Sequence, residues 1–171
     1  MSNVHPVSLA EKLSKEFGGI FLIGEIYFDV LHERQSKQVR PFERVFHPRI
    51  YEAFNSEVLK AVSENREVIV IDDIFTTGGS AASIIRTLDK IGIPVKAVAG
   101  YFGNTKLAVP PQIISSMQKA LKNAGIPIKA KEISKNLTFA EAKIIIELIR
   151  KAGSEDEKNE LTIKLQGLSD R

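Results

Sequence analysis

The sequence predicts an α/β fold, and three features carry that prediction. Val68-Ile69-Val70-Ile71 is a run of four β-branched apolar residues, the pattern of a strand buried on both faces inside a parallel sheet. After the acidic pair Asp72-Asp73 and a turn of hydroxyls and glycines, Ala81, Ile84, Ile85 and Leu88 recur at i, i+3, i+4 and i+7, which is one face of a helix. Val95 to Tyr101 then reads as a second strand. The strand–helix–strand order predicts a parallel pair joined by a right-handed crossover.

Length and composition agree with one compact domain. A chain of 171 residues is long enough for a single core. Its 43% hydrophobic and 26% charged content is ordinary for a globular protein. Cysteine is absent, which excludes disulfides and thiol chemistry and fits a reducing cytoplasm. The first residues lack the basic-then-apolar order of a signal peptide, and no apolar run approaches the ~20 residues that span a bilayer. A net charge of +3 is too small by itself to argue for nucleic acid.

The remaining elements follow from periodicity and punctuation. Leu9, Leu13 and Phe17 predict a short helix with Ser8 as N-cap and Gly18-Gly19 as its stop. Ile20 to Phe28 reads as a strand. Asp29 to Phe46 is rich in charge, with Arg34, Lys37, Arg40 and Arg44 outnumbering its acids. Pro48 to Ser63 reads as a helix with Ile50, Phe54, Val58 and Leu59 inward, broken if anywhere at Asn55-Ser56. Pro110-Pro111 opens a helix to about Lys122, and Gly125 stops it. Ile126 to Ile133 alternates weakly and reads as a short strand or a loop. Thr138-Phe139-Ala140-Glu141 is a capping box ahead of an apolar helix. From Gly153 the chain turns polar, so residues 1–152 are expected to form the domain and 153–171 a mobile tail with one short helical turn.

The chemistry concentrates between Asp72 and Ser80. Gly78 and Gly79 permit positive φ and close approach of backbone to a ligand. A helix that begins there offers unpaired N–H groups and a dipole that favours anions, and Thr76, Thr77 and Ser80 add hydroxyl donors. That half of the turn suits a phosphate. Ionised Asp72 and Asp73 are acceptors only, so they suit the hydroxyls of a polyol or a metal ion. One ligand satisfies both halves: a ribose 5-phosphate.

Val68 to Ser80 resembles the binding motif for phosphoribosyl pyrophosphate (PRPP) of type I phosphoribosyltransferases: four apolar residues, two acids, two apolar, two small or hydroxylated, Gly, any residue, then Ser or Thr. Phe75 departs from it, since a smaller aliphatic is usual there. The resemblance implies a Rossmann-like fold around a central parallel sheet. It assigns Asp72 and Asp73 to the ribose hydroxyls, and Thr76, Thr77, Gly78, Gly79 and Ser80 to the 5-phosphate. It implies magnesium as cofactor, reached by the two acids indirectly through ribose hydroxyls or water. It also places Arg34, Lys37, Arg40 and Arg44 in a loop that closes over the departing pyrophosphate, where a cation stabilises developing charge. A solvated basic loop is the equally weighted reading of these four. His32 and His47 read as structural. In hypoxanthine-guanine enzymes an Asp stands at the position of Thr76. The Thr-Thr-Gly form is more similar to the orotate, adenine and competence-associated branches, and the acceptor base stays open.

The family also carries a strand and a pyrophosphate loop ahead of the first helix. The eight residues before Leu9 contain no apolar strand, so the expectation is a fold truncated at its N-terminus, with a second copy or a partner completing the sheet. Lys106 to Glu141 resembles phosphoribosyltransferase-like domains of phages and conjugative elements. Three functions follow as alternatives: transfer of the phosphoribosyl group to or from a nitrogen base, binding of PRPP or a nucleotide without catalysis, and a nucleic-acid-associated role resting on the basic loop alone.

Overall fold

The computed structural model describes residues 4–23, 27–32, 42–103 and 106–169. They divide into two compact units. The first takes the described residues up to position 32, with 49–76 and 80–103; the second takes 42–48, 77–79 and 106–169.

The first unit is α/β. Helix α1 (Val4–Phe17) is followed by strand β1 (Phe28–His32), strand β2 (Ile50–Ala53) and helix α2 (Ser56–Ser63). Strand β3 (Val68–Ile74), helix α3 (Gly79–Lys90, of which Gly79 belongs to the second unit) and strand β4 (Val95–Phe102) complete it. β3 and β4 pair in parallel, with Val70 beside Val98 and Asp72 beside Gly100. This is the βαβ unit that the sequence predicts. Its small core joins Val70, Leu59, Leu88 and Ile93, with Ile84, Ile85 and Val98 packed against them.

Several expectations in this unit need correction. The central sheet is two separate two-stranded sheets among the described residues, β1–β2 antiparallel and β3–β4 parallel. Accordingly β3 is not buried on both faces: Ile69 is 52% exposed while Val70, its neighbour on the other face, is buried. Of the strand expected at Ile20 to Phe28, residues 24–26 lie outside the described ones and 20–23 join no ladder; β1 begins at Phe28, where the chain finds a partner in β2. The expected helix from Pro48 begins only at Ser56, past the Asn55-Ser56 break, and Ile50 to Ala53 extend into a ladder. Ile50 and Tyr51 are β-branched and aromatic, types that suit a pleated ladder, and the Tyr51 carbonyl also accepts the Thr87 hydroxyl at 2.7 Å. α1 starts four residues before Ser8, with Pro6 in its first turn, where a missing N–H costs nothing.

The second unit is helical. A 3-10 turn (Glu43–Val45) joins helices α4 (Pro111–Ala124), α5 (Ala130–Ser134), α6 (Phe139–Lys151) and α7 (Glu155–Ser169). α4 has Pro at its first position and ends at Gly125 with φ +76°, as expected. The Ile126 to Ile133 stretch is a loop running into α5. Its alternation reflects Ile126, Ile128, Ala130 and Ile133 each turning into the helical core.

The expected mobile tail is helix α7. Leu161, Leu165 and Leu168 stand at i, i+4 and i+7 and are buried in the same core as Met117, Leu121 and Ile145. Its start is fixed chemically. The Glu157 carboxylate accepts the N–H groups of Gly153 at 2.8 Å and Ser154 at 3.0 Å, and the Ser154 hydroxyl accepts the Glu157 N–H at 3.2 Å. The charged run from Glu155 to Glu160 and the polar residues between the leucines hide the stripe from a reading of composition.

Leu165→Ala should therefore lower the unfolding free energy by about 2–5 kcal/mol in urea titration. Ile163→Ala, on the exposed side of α7, should stay within about 0.5 kcal/mol. A mobile tail would leave both unchanged. Hydrogen bonds from the Ser154 and then the Gly153 N–H, with the Ser154 hydroxyl adding to them, hold the Glu157 carboxyl below the usual carboxylate range. A depressed folded pKa means support that is present above the unfolded value and lost as pH falls through the folded one. Acid titration followed by circular dichroism should show helix loss in that window, and Glu157→Gln should remove the step.

Candidate functional site

β3 delivers the acid pair to the carboxyl end of a parallel strand, the edge at which open α/β sheets bind ligands. Asp72 is half-buried beside Gly100 on β4, and Asp73 continues the strand to Ile74. The chain then leaves the ladder through Phe75, whose N–H donates to the Phe102 carbonyl at 2.9 Å. Thr76 is exposed.

Phe75, the residue that departs from the motif, is accommodated by glycines. A Cβ on Gly100 would lie 2.5 Å from the Phe75 ring, and one on Gly103 would overlap the Phe75 carbonyl. The ring takes the space that the missing side chain at 100 leaves, and the Phe75 backbone carbonyl takes the space at 103.

Thr77 to Gly79 pack within the second unit. Gly78 has φ +76°, the left-handed region that favours glycine, as the turn reading requires. Gly79 does not: its φ is not positive. A Cβ there would stand 2.5 Å from Glu141 Oε1. Glu141 is 3% exposed and belongs to the capping box of α6. Its Oε2 accepts the Thr138 N–H at 2.9 Å and its Oε1 accepts the Thr77 hydroxyl at 3.4 Å. The Thr138 hydroxyl in turn donates to the Thr77 carbonyl at 2.6 Å. The sequence shows the box but not its reach to Thr77, 61 residues away. Ser80 is half-buried in the first turn of α3.

The expected cations are only partly described. Arg34, Lys37 and Arg40 lie outside the described residues. Arg44 is half-buried in the 3-10 turn of the second unit, and His47 is exposed just after it. His32 is the last residue of β1. Among the described residues no group of three or more carboxylate, imidazole or thiol side chains could hold a metal. No helix among the described residues is long and apolar enough to cross a membrane.

Against known proteins the chain shows one partial likeness. It is 25% identical over 75 residues to a hypoxanthine/guanine phosphoribosyltransferase of Methanosarcina acetivorans. The aligned part is 40% of this chain, and the chain spans only about 40% of that relative's length. No family model matches the chain, and no solved structure matches it. Part of the chain is thus similar to a phosphoribosyltransferase, and its α/β unit with a small parallel sheet is compatible with a fold of that kind.

The two glycines separate by experiment. Gly78→Ala should cost about 1 kcal/mol or more from its positive φ, and Gly79→Ala about 1–3 kcal/mol from overpacking. Only the second should be coupled to Glu141. In a Glu141→Ala background the cost of Gly79→Ala should fall by about 0.5 kcal/mol or more, with Gly78→Ala unchanged. Equal costs of Gly79→Ala in both backgrounds, measured by denaturant titration, would show that the carboxylate does not limit residue 79.

Proposed function

We propose that this chain binds the ribose 5-phosphate portion of PRPP at Asp72 to Ser80, and transfers the phosphoribosyl group to or from a nitrogen base with pyrophosphate as the leaving group. The observation that carries the reading is the order of parts at one strand end. An acid pair closes parallel strand β3, a turn with Gly78 at positive φ follows, and α3 begins at Gly79. In this reading the fold is the Rossmann-like one of type I phosphoribosyltransferases.

Each part has a stated task. Asp72 and Asp73 accept hydrogen bonds from the vicinal ribose hydroxyls, which orients the ring and its anomeric carbon. Backbone N–H groups of the turn and the first turn of α3, with the hydroxyls of Thr76, Thr77 and Ser80, receive the 5-phosphate. A base nitrogen attacks the anomeric carbon as the carbon–oxygen bond to pyrophosphate breaks, and the electron pair leaves with pyrophosphate. The transition state is oxocarbenium-like, as in glycoside chemistry. Magnesium, carried with pyrophosphate, supplies neutralisation of its charge; Arg34, Lys37, Arg40 and Arg44 are the proposed protein cations for the same group.

A binder without turnover is the second reading, since the likeness to a phosphoribosyltransferase covers only 40% of this chain. A threonine hydroxyl cannot take a proton from an acceptor base near neutral pH, so a general base, where the reaction needs one, is not Thr76.

Titration calorimetry with PRPP and magnesium tests the binding. Asp72→Asn with Asp73→Asn should weaken it by about 1.5–3 kcal/mol, the scale of hydrogen bonds to charged groups. A folded double variant of unchanged affinity would overturn the ribose assignment. A screen for pyrophosphate release across purine and pyrimidine bases then separates transferase from binder.

A further inference from the structure

Thr138 and Glu141 have no part in the chemistry above, yet both are buried and both touch Thr77–Gly79. A capping box is complete when the N-cap hydroxyl accepts the N3 N–H and the N3 carboxylate accepts the N-cap N–H. Here the Thr138 hydroxyl accepts the Glu141 N–H at 3.3 Å, and Glu141 Oε2 accepts the Thr138 N–H at 2.9 Å. Two resources remain, the hydroxyl proton of Thr138 and the second carboxylate oxygen. Both are directed at the turn. The proton goes to the Thr77 carbonyl at 2.6 Å; the oxygen takes the Thr77 hydroxyl at 3.4 Å and abuts Gly79.

We propose that Thr138 and Glu141 are positioning residues that hold the Thr77–Gly79 turn in the conformation that receives phosphate. The proposal rests on the phosphate reading of that turn. Helix capping alone does not account for these contacts, because the box closes on itself without them. Gly78 at φ +76° follows Thr77, which is anchored through its carbonyl and hydroxyl, and precedes Gly79, where Glu141 Oε1 leaves no room for a Cβ. A turn anchored at Thr77 and walled at Gly79 keeps its backbone N–H groups in one orientation before the ligand arrives, which reduces the ordering cost of binding. Glu141 also engages the Thr77 hydroxyl, at 3.4 Å.

The test uses the full chain, ribose 5-phosphate as the probe in calorimetry, and the amide resonances of Thr77, Gly78 and Gly79 without ligand. Thr138→Val and Glu141→Leu should lower affinity at least about tenfold and move the three amides. Thr138→Ser and Glu141→Gln keep a hydroxyl and a two-ended acceptor–donor group, and should stay within about threefold. Ser154→Ala removes the cap of α7 and is the control for a merely structural loss: it should lower stability and leave binding unchanged. Where the valine variant does not fold, Thr138→Ala takes its place with the same expectation. Unmoved amides and wild-type affinity in a folded Thr138→Val or Thr138→Ala protein overturn the positioning role. A Glu141→Gln variant that loses as much as Glu141→Leu overturns it too, in favour of charge. Wild-type protein that binds neither ribose 5-phosphate nor PRPP overturns the phosphate reading, while the ligand-free amide shifts still decide the anchoring.

Discussion

A buried carboxylate must find donors or be removed, and in this protein Glu141 finds them in two places. One is its own helix start, where the Thr138 N–H closes the capping box. The other is Thr77, on a turn that the chain made more than sixty residues earlier. The same side chain thus closes the start of α6, accepts the Thr77 hydroxyl, and stands where a Cβ on residue 79 would come. The surface ion pairs, such as Lys15 with Glu11 and Arg150 with Glu147, are exposed on both partners and carry no such consequence.

The other organising element is the β3–β4 ladder, which brings Asp72 level with Gly100 and lets the chain exit over β4. Among the described residues one face of this ladder carries a buried core, in which Val70 and Leu88 meet with Val98 against them, while Ile69 and Tyr101 on the other face stay partly open. Four β-branched residues in sequence specify a strand, but they do not specify how many neighbours it has or what lies on each face.

This is the general pattern of what the sequence discloses. Elements whose evidence is local are legible: β3, α3 and β4 from periodicity, α4 from Pro111 and Gly125, and the Thr138–Glu141 box from its spacing. Elements decided by a distant partner are not. Ile50 to Phe54 has helical spacing, yet Ile50–Ala53 is a strand because Phe28–His32 lies opposite. α7 is a helix because Leu161, Leu165 and Leu168 meet a core built from α4 to α6. Within the candidate site the acids, hydroxyls and Gly78 are legible as chemistry. For Gly79 the expected positive φ is absent, and the carboxylate beside it lies far along the chain, where the sequence does not show it.

The match between Phe75 and the glycines of β4 and its exit has a historical consequence. With phenylalanine at 75, any side chain at 100 meets the ring and any at 103 meets the Phe75 carbonyl. With a smaller aliphatic at 75, the ring contact at 100 is gone and the nearest remaining obstacle is the Asp72 carbonyl at 3.0 Å, which a small shift relieves. The two exchanges are therefore not interchangeable in time. Glycine at 100 can precede phenylalanine at 75 without a clash, but the reverse order passes through an overpacked intermediate. Once phenylalanine is in place, reversion at 100 is closed until 75 changes first. The ring acts as a ratchet on its own neighbourhood.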